Sequence, residues 1–553
     1  MTESTVRSNG RRWCGVFLGA AVAGLLVHLV LTTVAWAQVT VGQADIATFR
    51  SIKEMVAFDA AHQNIATVQT PFLPTDFGQY AASKAVVSSA SGRSGRAGVG
   101  AAPIPASVPA AGPLQCDGFS QTAPVVGNHF PPEPHAAIGA NHIGQVVNSA
   151  IRFGTKALTG ACPTNKTVIN LSLAAFVGYV AQPLFNPRIL YDLVYNRWIV
   201  SVEAMPESPT VQHHFIMVSN SADPTLGFLK TDINITNFAG MNNFWDYPQI
   251  GYDEEAISLT GNVFNSVPTY VTSLVIFLAK HRLYAGLNFE FCAFSGNPFN
   301  VGTIAPNIVL DQGPYTTLAT ANVGASQIRV YKFNGTSRAC PDNEGSSDIN
   351  TFLLMPPLAE QPGSGACPAP NCLDTGDGRF QNAGTQFGEP ALPPFLPVRF
   401  WQVRTDEDTS TVPFLPTPLT YKINADALSL DESCQVFATT NSFDFNPSIV
   451  ANTAGTMFLT WSATDPVAPF NAAVVLNGKK DADICPTLDL TGTRAVTSAA
   501  PLTGNPSAGH QAWGTYSSVT LDPADTTKAY GTNEYIAPSG LSWRTWLFNM
   551  SNP

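Results

Sequence analysis

The sequence predicts an all-β chain. Three observations carry this: charged residues are only 12% of the 553, Gly and Pro number 43 each, and a short strand-turn-strand pattern recurs along most of the length. Such a composition suits many short strands joined by turns better than long salt-bridged helices. The clearest copy of the pattern runs from Asn446 to Trp461. There, alternating apolar residues lead to a turn at Asn452, and Gly455 precedes a second apolar run.

Taken in order, the chain opens with Arg7, Arg11 and Arg12, an apolar run from about Val16 to Val34, and Ala35-Trp36-Ala37 before Gln38. That is the layout of an export signal over residues 1–37, with an uncleaved N-terminal anchor as the competing reading. Apolar residues Ile46, Phe49, Met55, Phe58 and Ala61 recur at helical spacing, so 38–80 is expected to be an N-terminal helical segment. Residues 81–115 are small, polar or Pro and are expected to be a flexible linker. The folded body is expected over 116–553.

Within that body the hairpin returns at Pro134–Asn141, Asn186–Asp192, Asp246–Asp253, Tyr315–Asn322, Asn446–Asn452 and Trp513–Asp522. Each copy ends its first strand on a turn-forming residue: Asn141, Asp192, Asp253, Asn322, Asn452 or Asp522. Starts lie about 50 to 70 residues apart except for one gap twice as wide, which Gly378–Ala383 followed by Val398–Val403 can fill. Seven copies of this size, with four strands each, predict a seven-bladed β-propeller. The alternative is two β-sandwiches, which carry no such long period.

The first strand of each blade would line a central channel. Residues six before the turn are therefore the ligand-binding candidates: His135, Asn186, Tyr247, Thr316, Asn446 and Tyr516, with Arg188, Asp246, Trp513 and Glu534 beside them. The competing use of the same side chains is to bond neighbouring blades and close the ring.

Net charge is −11 and no Lys/Arg cluster forms a basic groove, which argues against nucleic acid. Eight cysteines follow the signal, an even number that favours disulfides, and Cys367 with Cys372 is close enough to close a small ring. No zinc motif, Gly-x-Ser-x-Gly elbow or phosphate loop occurs. Asp374-Thr375-Gly376 matches one aspartic-protease tripeptide without the second it would need. No cofactor is expected. The acidic turns Asp374–Asp377 and Asp522–Asp525 offer oxygen ligands for a structural Ca²⁺, although turn capping is their commoner use.

Asn186-Pro-Arg-Ile-Leu-Tyr-Asp192 with Arg197-Trp198-Ile199-Val200-Ser201, then Ser221–Pro224, Asp246–Gly251, Trp513-Gly514-x-Tyr516 and Asn533-Glu534-Tyr535, resembles a group of exported bacterial propeller proteins of sialidase-like or BNR-like appearance. The resemblance implies a propeller outside the cell and no particular reaction. Ser221–Phe228 only echoes the sialidase Asp-box, and Arg188, Arg379 and Arg399 do not fall into a recognisable arginine triad. The expectation is a secreted, monomeric binding protein for an extracellular glycan or protein, with no membrane contact beyond the signal. A polysaccharide-acting glycoside hydrolase or lyase is the alternative.

Overall fold

The computed structural model describes residues 37–62, 69–70, 72–88, 94–96, 110–156, 167–313, 315–388, 396–483, 485 and 490–551. The expected export signal lies, except for Ala37, outside the described residues. Strands make up 52% and helices 8% of the structure, so the class is mostly β.

Among the described residues, the strands form consecutive antiparallel meanders, three of which are joined in one fourteen-stranded sheet. Their first strands are His135–Ile138, Leu184–Asp192, Phe244–Tyr252, Ile304–Val309, Gly384–Phe387, Phe443–Ala451 and Ser518–Asp522. Each of these lies against the first strand of the next unit, and that of the seventh unit lies against that of the first. In units three to five the neighbouring first strands also pair in parallel, at Tyr252 with Ile308 and at Asn307–Val309 with Gly384–Gln386. The last unit is completed from the other end of the chain: Ala110–Ser120 pairs antiparallel with Trp543–Ser551 as its outermost strand.

The core sits between adjacent units. Ile189, Trp198 and Val200 of unit two pack with Ile151 and Phe153 of unit one, while Trp245 and Ile257 of unit three pack with Leu190 and Ile199 of unit two. Trp401 and Val403 of unit five meet Ile449 and Trp461 of unit six in the same way. The first and second strands of the units are thus buried on both faces, which is why the second strands read as continuous apolar runs. Cystines Cys292–Cys340, Cys367–Cys372 and Cys434–Cys485 are present, the second being the small ring anticipated from sequence.

Five of the six hairpin copies occupy the first and second strands of their units. The copy at Tyr315–Asn322 does not: Thr316–Asn322 is the second strand of unit four and Ile304–Val309 the first. The correct start, Ala305-Pro306-Asn307-Ile308, carries the same Pro-x-Ile spacing as Asn186-Pro187-Arg188-Ile189. Thr316 is accordingly not a channel residue, and its hydroxyl donates to the Asp253 carboxylate instead.

The N-terminal segment also departs from expectation. Only Ile52–Ala61 and Phe77–Lys84 are helical, the first opened by a Ser51/Glu54 capping box. Gln38–Ala44 instead adds a strand to the outer edge of unit three, and Thr48–Arg50 one to unit two. These additions cover sheet edges that would otherwise expose unpaired backbone.

Nor are the described residues of 81–115 a loose linker. Lys84 is buried and donates to Pro356 O (2.9 Å), Thr375 Oγ1 (2.7 Å) and Gly376 O (2.7 Å). Ser94 bridges Val412, and Arg96 is buried against Asp408 (3.0 Å) and Asp444 (3.4 Å). Low apolar content suggested disorder, but these residues are fixed by charge-assisted hydrogen bonds.

Replacing Arg96 by Ala would leave two carboxylates buried without their cation, an effect of about 3–5 kcal/mol. Equilibrium urea unfolding of Arg96→Ala is expected to show that loss, and an unchanged midpoint would restore the linker reading.

Candidate functional site

The first strands bend where the sequence reads X-Pro. Glu133, Asn186, Tyr247 and Asn446 each precede a proline and each has positive φ, at 48°, 46°, 60° and 50°. The ladders of units two, three and six shift register at this point. Non-glycine residues rarely take this conformation, so four recurrences mark a position held by its surroundings. The bulge turns the X side chain into the ring centre.

In unit one the turn amide that bonds three residues on belongs to Gly139, as it belongs to Asp253 in unit three. Counting six back from Gly139 gives Glu133. His135 therefore corresponds to Arg188 rather than to Asn186, and Glu133 is the residue that counting from Asn141 missed. The X-Pro dipeptide was the signal for it.

All ten sequence-derived candidates are buried, and the nine other than Thr316 contact one another or neighbouring units. Asn186 Nδ2 donates to Glu203 Oε1 (2.7 Å) and Asp246 Oδ1 (3.1 Å), and its backbone N–H donates to Asn148 Oδ1 of unit one (2.8 Å). Arg188 crosses the centre: Nε donates to Pro248 O (3.0 Å), Nη1 to Asn382 Oδ1 (2.9 Å) and Nη2 to Gln381 O (3.0 Å). Its guanidinium lies 3.3 Å from the centroid of the Tyr516 ring, which meets the Tyr247 ring edge-to-face at 5.0 Å.

Asn446 takes a bond from Gln381 Nε2 (2.8 Å) and gives one to Gly514 O (2.6 Å), tying units five, six and seven. Glu133 accepts from both the N–H (2.9 Å) and the hydroxyl (2.6 Å) of Thr515. Gly514 N donates to Glu534 Oε2 (2.7 Å), and a Cβ on Gly514 would come within 2.9 Å of that oxygen, which explains the glycine in Trp513-Gly514-x-Tyr516. Trp513 Nε1 donates to Ser462 Oγ (3.2 Å), and His135 Nδ1 to Ile189 O (2.9 Å).

Glu133, Asn186, Asp246, Tyr247, Trp513 and Thr515 border a cavity of about 30 Å³, which Thr70 and Phe72 of the N-terminal segment also line. On the same measure a water needs roughly 10–15 Å³, so the space holds about two. Glu203 Oε2, Tyr247 OH, Gln381 Oε1, Tyr516 OH and Glu534 Oε1 find no protein partner. Internal water is the usual way such buried groups are satisfied.

The arginine cluster is only partly assembled. Arg379 lies 4.2 Å over the Tyr247 ring and is held bidentately by Asp377, whereas Arg399 sits on the periphery with Asp431 (2.6 Å). Asp374 of the Asp-Thr-Gly tripeptide accepts from Tyr80 OH (2.8 Å) and faces Lys84 (3.5 Å) and His510 (3.6 Å), so it anchors the N-terminal segment. Asp522 caps its own turn and pairs with Lys156 (2.6 Å). The one group of three potential metal ligands found among the described residues, Glu432, Cys434 and Cys485, includes the two sulfurs of a cystine.

Burial pushes the carboxyls of Glu133 and Asp246 up to about 7, against the opposing pull of Thr515 and Arg188 on the first and of Arg379 on the second. Burial likewise drives Glu203 and Glu534 well upward. It lowers His135 and His214 to about 3.

No protein-family model and no curated protein sequence matches the chain. Among solved structures it is similar to Trypanosoma rangeli sialidase in complex with sialic acid, at 11% identity over 67% of this chain and 54% of that one, with a TM-score of 0.34. It is also similar to Penicillium chrysogenum alpha-L-arabinanase complexed with arabinobiose, at 10% identity over 66% and 92%, TM-score 0.34. A third is alpha-L-arabinofuranosidase from Lactobacillus brevis, at 13% identity over 55% and 90%, TM-score 0.27. The match spans about half of the sialidase's length. Overlaps this partial carry no statement about activity.

The four raised carboxyls bind protons in the folded state that the unfolded chain has released, so they weaken folding as pH climbs above their ordinary range, through about 7 for Glu133 and Asp246. The two imidazoles act oppositely, but only below their ordinary value of 6.5. Between pH 6.5 and 8 the carboxyls dominate. The urea midpoint is expected to fall across that window, with a shallower fall in Asp246→Asn; a flat or rising profile in the parent chain contradicts the burial described.

Proposed function

We propose that the chain is an exported seven-bladed β-propeller acting as a binding module for an extracellular glycan or protein. The ordered contacts of seven first strands, the seventh back against the first, support the blade count. Three cystines suit an oxidising compartment. Among the described residues no helix is long and apolar enough to cross a membrane.

One observation carries the choice of binding over turnover. Arg188, Asn186 and Asn446 at the centre are held in bonds between units, and the cavity beside them is about 30 Å³. Ligand pockets ordinarily measure roughly 300–1,000 Å³. The convergence of Glu133 and Asp246 on one cavity favours the hydrolase alternative, but that cavity has room for little more than about two waters.

Incubating the purified protein with a panel of plant and bacterial polysaccharides and assaying new reducing ends tests the choice. No product is expected from the parent chain. Product release that disappears in Glu133→Gln or Asp246→Asn would replace the binding reading with the hydrolase.

A further inference from the structure

We propose that the ligand is received off the channel axis, in a bay between units three and four, and that it is a neutral polyhydroxylated molecule, a sugar or short oligosaccharide. This rests on the binding-module reading above and names its site and ligand class.

The bay measures about 230 Å³, far larger than the central cavity. Segments distant in sequence build it: the start of the helix Phe77–Lys84, Tyr270 of unit three, the loop before unit four, the turn after Thr316–Asn322, Met355, and Asp377 with Arg379. Its polar side chains are mostly uncharged: Thr75, Gln79, Tyr270, Asn300, Thr303 and Asn322, against Asp76, Asp377 and Arg379. Gln79, Asn300 and Asn322 bring amides, each able to donate and accept, which is what vicinal hydroxyls require. Tyr270 supplies an aromatic wall, fixed because its hydroxyl accepts from Gly302 N at 3.0 Å and bonds Ser273 at 3.1 Å. A wall held in place before binding loses little entropy on contact.

The charges select against acids. Arg379 at the bay floor is neutralised by Asp377 through two bonds, Nε to Oδ1 (2.6 Å) and Nη2 to Oδ2 (2.7 Å). Asp76 caps the helix through Oδ1 to Gln79 N (2.9 Å) and adds a negative charge to the lining. A carboxylated sugar would meet that charge, and among the described lining residues the one cation, Arg379, is already paired with Asp377.

The other large cavity, about 300 Å³, is bordered by Asp253, Glu254, Glu255 and Asp311 and serves as a control. The experiment is a printed array of neutral oligosaccharides and of sialylated and uronic-acid glycans, read with the purified full chain and three variants. Asn300→Ala/Asn322→Ala and Gln79→Ala alter the bay, and Gln312→Ala alters the control cavity. The parent is expected to bind neutral glycans only. Bay variants should lose at least tenfold in apparent affinity with an unchanged Tm, while Gln312→Ala behaves as the parent. Neutral-glycan binding untouched by the bay variants overturns the location and leaves the binding-module reading standing. Preference for acidic glycans overturns the charge argument. No binding to any glycan overturns the bay proposal together with the glycan arm of the reading.

Discussion

The structure depends on hydrogen bonds that the first strands make across unit borders from the residue before a proline. Asn186 reaches from unit two to Asn148 on one side and Asp246 on the other, and Asn446 links Gln381 to Gly514. In each case the backbone adopts a positive φ that costs of order 1–3 kcal/mol. The bonds and ring contacts at the centre offset it. Such bonds are strong because water is excluded, and for the same reason each buried group must find a partner. A centre built in this way is a seal. Arg188 shows the logic best, with three donors used on Pro248, Gln381 and Asn382 and its face stacked on Tyr516.

A second closure works from outside. The N-terminal segment lengthens units three and two, packs Met55 of its first helix into the core of units one and two, and then buries Lys84 and Arg96. Its continuation supplies the outer strand of the last unit. The last meander is thereby completed by the chain's own N-terminal side. Thr70 and Phe72 of the same segment line the central cavity, and Thr75, Asp76 and Gln79 line the larger bay.

Part of this was legible in the sequence. The X-Pro-x-Ile pattern marked the first strands Leu184–Asp192, Phe244–Tyr252 and Phe443–Ala451, and the doubled gap does hold a further strand pair, although its first strand is Gly384–Phe387 and not Gly378–Ala383. Two errors came from weighting the wrong residue. The turn in unit one is set by Gly139, so counting from Asn141 chose His135 and passed over Glu133. In unit four the Thr-rich run at Thr316–Asn322 looked like a first strand, while the true one, around Pro306, lacks a polar residue before the proline. The N-terminal segment was hardest to read. Its strands pair with edges contributed by residues more than a hundred positions away, and Lys84 and Arg96 are ordered by partners such as Thr375 and Asp444 that no local pattern announces. The bay was not legible at all, since its walls come from stretches as far apart as Gln79, Tyr270, Asn322 and Arg379.

The central claim, that the polar centre holds the ring shut, is tested most directly by native-state hydrogen exchange at the backbone amides of Asn186 and Asn446, which donate to Asn148 Oδ1 and Thr405 Oγ1. If the centre is a seal, both amides exchange only through global unfolding, as slowly as those of the buried strand Arg197–Ala204. Exchange orders of magnitude faster than in that strand would mean that the centre opens while the rest stays folded, and would return the channel to the list of sites a ligand can enter.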